Sequence, residues 1–452
     1  MYKTISCAKR LLFIAGPLML SSLSGMAMLF FSRMILACYS IEAHNAAVEA
    51  TNLGWAFIAG WGSLASIVQV FIAQHYGAQN YSLLGRFAWQ MIWLSLLSSL
   101  VFIPGAIWGP EFFFKDAQCD MQRSYLFWML ICGPLHVLFA ALSGFFVGQG
   151  KVKLIIIVDV VGNFLNCLIC YLAVFGLATY LKPMGIIGAA IATNIALVIQ
   201  VLMLAVVFFN SSNREEYGTK NWQFDYSLLS QCVRVGLPNS IFSVLEVSGW
   251  AIFYSMMASL GDKHLTIAGI VQNVLILFNF IGEGLSRSVS VLCGNAIGEG
   301  KVKDVFKYVH SGFLLMTFFA LILGAGLFFS KEILAQHFLS TLSDVQQRAY
   351  YPALVFGLIN VVIYKYLEGI RLVMGGALTA AADTFFLLIG GSFSIWLFMV
   401  IPIYQFVYVP GRSIEAALTV CSIYTLIAAS LYAWRFYYRS WGKSVSLVLN
   451  PA

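Results

Sequence analysis

Long runs of apolar residues divide this chain of 452 residues into segments that are long enough to cross a membrane. A helix needs about 20 apolar residues to span the hydrocarbon core of a bilayer. Twelve runs reach that length, at 11–38, 50–75, 86–110, 125–147, 153–175, 183–209, 231–259, 265–296, 305–329, 348–375, 378–404 and 412–435. The breaks are short and carry Pro, Gly, Asn or charge. The pattern predicts an all-α polytopic membrane protein with twelve transmembrane helices and no inserted soluble domain.

Composition and charge agree with this fold class. Apolar residues make up 60% of the chain and charged residues 10%, which excludes a soluble globular domain. The formal charge of +7 reflects Lys and Arg in the loops on one side, so lipid headgroups are expected partners and nucleic acid is not. That bias places both termini in the cytoplasm. The first run is too long for a signal peptide, so a retained helix in the plasma membrane, or the inner membrane of a Gram-negative source, is expected.

The two halves of the chain resemble each other. A shift of 221 residues superposes three pairs of helix-breaking or polar residues: Pro17 on Pro238, Asn52 on Asn273 and Gly77 on Gly298. Six spans in each half give both halves the same orientation, which is typical of a parallel repeat. We therefore predict two pseudo-symmetric six-helix bundles, an N-lobe at 1–210 and a C-lobe at 231–452. The polar cytoplasmic stretch 211–230 is interpreted as the natural hinge linker.

Pro17 and Pro238 lie early in the first helix of each predicted lobe. Each proline lacks an amide donor and leaves a backbone carbonyl one turn back without its helical partner, which kinks a helix. A fixed bend and a moving hinge are both consistent with the sequence. A hinge would suit two lobes that rock around a central cleft.

Three ionisable residues lie in apolar surroundings. Glu246 is the only charged residue between Val235 and Gly261. A charge near mid-bilayer costs from about 2.5 to more than 10 kcal/mol, so such a residue faces protein or water and usually has a function. The alternative is an uncharged carboxylic acid that only stabilises packing. Asp159 is a second buried acid near a helix end. Arg33 either extends its side chain to the interface or pairs with an acid on another helix, and pairing would favour an anionic or zwitterionic substrate.

Other intramembrane charges are spaced for local pairing. Lys365, Glu368 and Arg371 fall on one helix face, where a local ion-pair cluster near the cytoplasmic end is the favoured interpretation. Glu283 and Arg287 are also spaced for a mutual pair.

Aromatic and sulfur-containing residues raise two further possibilities. Trp55, Trp61 and Trp250 are candidates for a cavity wall, where ring faces attract organic cations. Cys167 and Cys170 form a CxxC pair, but no second pair and no nearby His completes a zinc site. No metal site and no cofactor are expected.

Several stretches resemble one transporter family. "KPMGIIGAAIATNIA" at 182–196 and "GLPNSIFSVLEVSGWA" at 236–251 are similar to stretches of the multidrug and toxic compound extrusion (MATE) transporters, a branch of the MOP flippase superfamily. The resemblance extends from about residue 10 to 435. It implies a secondary active antiporter that exports organic compounds, typically amphipathic cations, in exchange for Na⁺ or H⁺ by alternating access between two lobes.

The resemblance also assigns site residues. Glu246 matches the family's acid in the seventh helix, whereas the first-helix and tenth-helix acids fall at Ser32 and Asn360. In the fifth helix Asn166 matches a family Asn, and the acid expected one turn later is Cys170. The ion-coupling pair implied for the C-lobe is therefore Glu246 with Asn360. A polar N-lobe site remains possible at Ser32, Asp159, Asn166 and Thr193.

Two other functional classes remain as alternatives. A flippase for lipid-linked oligosaccharides shares the two-lobe plan, and Arg33 and Arg287 could contact its pyrophosphate, although twelve spans argue against the peptidoglycan-precursor type. A membrane-embedded enzyme lacks support, because no Gly-x-Ser-x-Gly, paired intramembrane Asp or His-rich motif is present. A monomer that binds a small-molecule substrate is expected.

The distribution of Lys and Arg generates a topology prediction. Reporter fusions after Ala452 and within 211–230 should both report a cytoplasmic location. Locations on opposite sides of the membrane would mean an odd number of spans in the second half and would contradict the parallel repeat.

Overall fold

The computed structural model describes residues 2–115, 119–176, 182–339 and 344–438, with side chains from residue 7 onward, and these residues form helices without any strand. The first half contains α1 Tyr2–Tyr39, α2 Ile41–Ser66, α3 Val68–Gly77, α4 Leu84–Phe113, α5 Asp120–Ile131, α6 Gly133–Gly148, α7 Val152–Phe175 and α8 Gly185–Phe208. The short helix α9 Ser211–Glu216 follows. The second half contains α10 Tyr226–Ser259, α11 Asp262–Leu277, α12 Asn279–Gly298, α13 Val302–Leu339, α14 Asp344–Ala380, α15 Thr384–Ile395, α16 Ile401–Ile403 and α17 Ile414–Tyr438.

These helices confirm the predicted fold class. Among the described residues, 10 spans are long and apolar enough to cross a membrane, and two further pairs, α5 with α6 and α11 with α12, are each bent by 40° at a short break. Counting each bent pair as one span gives 12, and every predicted apolar run overlaps one of them. Pro134 begins the second half of the first bent pair, where it ends one helix and starts the next.

Residue contacts divide the helices into two compact units. The first unit contains the described residues up to Met19, those of Val244–Ile297 and those from Lys301 to Tyr438. The second unit contains Leu20–Ser243 and Gly298–Gly300. Helices α1 and α10 therefore contribute to both units, and the change occurs shortly after Pro17 and Pro238. The lobe limits at 210 and 231 and the hinge role of the prolines remain predictions.

The linker between the predicted lobes is bound along the first turns of α4, within the second unit. Residues 217–225 have no regular structure, yet their backbone contacts one face of that helix. The hydrogen bonds are Gly85 N to Tyr217 O at 2.7 Å, Trp89 Nε1 to Thr219 O at 2.8 Å, Gln90 Nε2 to Gln223 O at 3.1 Å, Trp93 Nε1 to Trp222 O at 3.0 Å and Asp225 N to Gln90 Oε1 at 2.9 Å. The segment is an ordered extension of the second unit rather than a free tether.

Two glycines and two ion contacts hold this linker close to the helices. A Cβ on Gly85 would lie 2.5 Å from the backbone of Gly218, so the linker and α4 approach each other at a distance that only glycine allows. Arg86 forms a salt bridge of 2.7 Å with Asp225. Lys151 lies over the Tyr217 ring at 4.5 Å, and burial lowers the pKa of Lys151 while the neighbouring Glu216 raises it.

Removing the side chain of Gln90 should loosen the linker. Gln90→Ala deletes two hydrogen bonds to the linker and leaves the part-buried amide of Asp225 without that acceptor, and the loss of the two bonds costs about 1–3 kcal/mol. The open state of the linker should become roughly tenfold more populated. Trypsin cleavage after Arg214 or Lys220 measures this opening. The exposed change Gln122→Ala is the control, and equal cleavage rates for the two variants would contradict the proposed anchoring.

Candidate functional site

Glu246 lies on α10 and pairs with an arginine of α14. Arg371 Nη2 donates a hydrogen bond of 2.9 Å to Glu246 Oε1. The Arg371 side chain is 5% exposed and the Glu246 side chain 27%, so the guanidinium is buried and the carboxylate is partly buried. The carboxylate predicted to act in ion coupling is therefore not isolated, because it faces a fixed positive charge within the first unit.

The pair continues into a chain of alternating charges. The same Arg371 nitrogen lies 3.9 Å from Glu368 Oε1, and Lys365 Nζ binds Glu368 Oε2 at 2.7 Å. Lys365 also donates to Asn279 Oδ1 at 3.0 Å, and Asn279 Nδ2 donates to Glu283 Oε1 at 2.6 Å. We call Glu246, Arg371, Glu368, Lys365, Asn279 and Glu283 the charged cluster. It connects α10, α14 and α12.

Local sequence explains how α12 and α14 bring these groups together. Lys365, Glu368 and Arg371 are spaced at three residues, so they share one face of α14. A Cβ on Gly376 would lie 2.3 Å from Ser286 O, which shows how closely the two helix backbones approach. Ser286 also donates to the carbonyl of Leu372 at 2.8 Å. This contact fixes α12 beside the basic face of α14.

Asn360 lies in a different polar group from Glu246. Its Oδ1 accepts a hydrogen bond of 3.0 Å from Ser422 of α17. Asn360 precedes Arg371 by three helical turns, about 16 Å along the α14 axis. Between these levels the ring of Tyr364 contacts Trp250, with centroids 6.0 Å apart. Glu246 and Asn360 thus have different hydrogen-bond partners, Arg371 and Ser422, and the bridging of the two residues by one ion remains a prediction.

Asn360 and Trp250 instead line one narrow cavity of the first unit. Its volume is about 10 Å³, which is space for roughly one water molecule. Most of the wall is aromatic or aliphatic, and Tyr254 stacks on Trp250 with centroids 6.2 Å apart. Of the three predicted cavity tryptophans, Trp250 thus lines a cavity of its own unit.

The other two tryptophans pack against rings of the second unit. Trp55 is 45% exposed and meets His136 edge-on, with centroids 5.7 Å apart. Trp61 lies 6.3 Å from Phe102. Neither of these contacts by itself assigns a binding role.

The second unit brings together three of the four residues predicted for its polar site. Ser32 Oγ donates to Asn166 Oδ1 at 3.0 Å, and Asn166 Nδ2 donates to Thr193 Oγ1 at 3.0 Å. Thr193 in turn donates to the backbone carbonyl of Ala189. Asn166 is fully buried. Helices α1, α7 and α8 therefore share a chain of neutral hydrogen bonds.

Asp159 lies apart from that chain, about two turns earlier on α7. Its carboxylate accepts a hydrogen bond from Ser21 of α1. One turn further along, Asn163 Nδ2 donates to Ser24 Oγ at 2.9 Å. These bonds form successive contacts between α1 and α7, so Asp159 belongs to a helix-packing stripe.

Arg33 forms no salt bridge with an acid in the part of the chain that the structure describes. Its guanidinium lies within electrostatic range of the buried phenol of Tyr125. Its carbonyl oxygen is 3.1 Å from the Nδ1 atom of His44. The hypothesis that Arg33 pairs with an acid on another helix therefore gains no support.

Sequence reasoning missed the residues that connect helices. The spacing on α14 identified the local ion pairs, which the structure confirms, but it did not identify Glu246 as their neighbour. Asn279 was overlooked, although it is a polar residue inside an apolar run, directly after the break at Phe278. That position is the one sequence signal that could have identified it.

Comparisons with known proteins agree with this fold. A family model described as MatE matches residues 14–172 and 238–390, which is more than half of the chain. "Probable multidrug resistance protein NorM" of Thermotoga maritima is 25% identical over 399 residues, covering 86% of this chain and 83% of the relative. A relative of the same name from Aromatoleum aromaticum is 23% identical over 449 residues and covers 95% and 94%.

Solved structures show the same architecture. A crystal structure of MATE in complex with MaL6 has a TM-score of 0.85 at 17% identity and covers 98% of this chain and 97% of its own. The eukaryotic MATE transporter AtDTX14 has a TM-score of 0.82 at 17% identity, with 98% of each chain covered. The family match agrees with the expectation of a transporter rather than an enzyme. This chain is a multi-pass membrane protein and belongs to the MatE family of transporters.

Proposed function

We propose that this protein is a secondary active antiporter that exports organic, amphipathic cations in exchange for Na⁺ or H⁺ by alternating access. The relatives named as multidrug resistance proteins support export of varied organic compounds. The single structural observation that carries the proposal is the carboxylate of Glu246 inside a membrane-spanning helix, held 2.9 Å from Arg371. A charge at such depth is costly and is typically retained for function.

The charges of the first unit near Glu246 are balanced and do not oppose a cationic substrate. The acids Glu246, Glu283 and Glu368 face the bases Arg287, Lys365 and Arg371, so the first unit presents no excess of positive charge at this level. Trp250 and Tyr254 add aromatic faces close to Glu246 on α10, and such faces attract organic cations. The relatives do not favour the alternative of a lipid-linked oligosaccharide flippase.

The pairing with Arg371 changes the expected behaviour of Glu246 variants. Glu246→Gln removes one partner of an ion pair, and an unpaired buried charge is destabilising by about 3–5 kcal/mol. Glu368 lies 3.9 Å from the same guanidinium nitrogen and can compensate in part. The double change Glu246→Gln with Arg371→Gln removes both charges and provides a variant without this cost.

Gradient-driven export should depend on Glu246 but not on Asp159. In liposomes with an imposed pH or Na⁺ gradient, both Glu246→Gln and the double variant should lose uptake of a fluorescent cation. Asp159→Asn should retain most of the wild-type rate, since Ser21 can still donate to the side-chain carbonyl oxygen of the new amide. Monodispersity and thermal stability in detergent serve as the folding controls.

Two outcomes would contradict this assignment. Wild-type export by well-folded Glu246→Gln protein would make Glu246 a structural residue only. Complete loss of coupling in folded Asp159→Asn protein would move the ion site to the second unit.

A further inference from the structure

One carboxylate oxygen of Glu246, Oε1, is already in contact with a cationic side chain. Arg371 Nη2 lies between two carboxylates, 2.9 Å from Glu246 Oε1 and 3.9 Å from Glu368 Oε1. Only 5% of the Arg371 side chain is exposed, so the guanidinium lies inside the first unit and away from solvent. Any ion that binds Glu246 must therefore coexist with Arg371 or displace it.

The surroundings of Glu246 offer no further free acid in the part of the chain that the structure describes. No other charged residue lies between Val235 and Gly261 on α10. The charged and titratable groups that face Glu246 from other helices are Arg371, Glu368 and Lys365 of α14, Glu283 of α12, which is next to Arg287, and the buried phenols Tyr424 and Tyr432 of α17. Lys365 donates a hydrogen bond to Glu368, and Asn279 donates one to Glu283.

A proton and a sodium ion differ in how they can meet this arrangement. A proton forms an O–H bond on one oxygen of the carboxyl group, occupies almost no volume and leaves the other oxygen able to accept from Arg371. Sodium is a hard cation that requires several oxygen ligands. A sodium ion bound to Glu246 would lie next to the guanidinium or displace it from the carboxylate. A buried guanidinium without its partner is strongly destabilising.

We propose that Arg371 is a specificity-determining residue that excludes Na⁺ from Glu246, so that the coupling ion of this transporter is the proton. The inference rests on the proposed function and specifies its ion. On protonation, Glu246 changes from a charged to a neutral acceptor, and Arg371 shifts its pairing towards Glu368. Through the charged cluster, this altered pairing changes the contacts of α10 with α14 and of α14 with α12.

Ion binding to the purified full-length protein tests the inference without relying on transport. Tryptophan fluorescence is a suitable signal, since Trp250 lies one helical turn from Glu246. In wild-type protein, acidification should change the signal in a way that Glu246→Gln removes. Replacing choline with Na⁺ at constant ionic strength should leave the signal unchanged.

Removing Arg371 should admit sodium. Arg371→Met is expected to show a saturable Na⁺ response at Na⁺ concentrations where the wild type shows none. The response should disappear when Glu246→Gln is added. Lys365→Met is the matched control, because it removes a cation of similar burial from the same helix face without touching Glu246, and it should show no Na⁺ response.

Three results would overturn the inference. The first is a saturable Na⁺ response of the wild type that Glu246→Gln abolishes. The second is folded Arg371→Met protein that shows no Na⁺ response. If Arg371→Met does not fold, liposome transport by the wild type decides, and export driven by a Na⁺ gradient at equal pH is the third.

The test also separates this inference from the proposed function. The expected binding pattern without export under either gradient would reject the antiporter while keeping the ion selectivity. Export driven by Na⁺ would retain the antiporter and reject the role of Arg371.

Discussion

The cost of an unpaired charge in an apolar interior governs the arrangement of α10, α12 and α14. Glu246 and Arg371 lie in membrane-spanning helices, and each gives the other an oppositely charged partner at 2.9 Å, which offsets the cost of burying them. Their contact fixes the level at which α10 meets α14, and the bonds from Lys365 through Asn279 to Glu283 extend the constraint to α12. We therefore expect a change of charge at one of these groups to change the positions of its partners.

The sequence predicted most of the fold because a bilayer requires long apolar helices. Each of the predicted runs overlaps a helix or a bent pair of helices in the part of the chain that the structure describes. The bends between paired helices were harder to predict from the sequence. Pro134 accounts for one, but the break at Phe278 lies between Leu277 and Asn279 and carries no proline or glycine of its own. The binding of the linker was not predicted, since it depends on a helix face more than 120 residues earlier.

The candidate site was predictable only within single helices. Spacing along α14 correctly predicted that Lys365, Glu368 and Arg371 would lie on one face and pair. It could not show that Glu246 would meet that face, because the spacing of residues along one helix carries no information about which other helix packs against it. Resemblance to a family identified Asn360 as a position where relatives carry an acid, yet in this chain the amide bonds Ser422 instead. The position of a residue in a family pattern therefore does not show which residues lie near it in the structure.

The two halves of the chain share their packing and differ in their charge. Gly148 and Gly369 match under the shift of 221 residues, and a Cβ would lie 2.7 Å from Ile72 at the first and 2.3 Å from Met316 at the second. The positions that match Glu246 and Arg371 are Gly25 and Gly150, where no charge is present. The first half joins α1, α7 and α8 through neutral hydrogen bonds of Ser32, Asn166 and Thr193, and the carboxylate of Asp159 adds a contact in which it accepts from Ser21. A repeat can therefore retain its close helix contacts while only one copy holds the charged cluster, because the approach of the helices at these glycines does not depend on those charges.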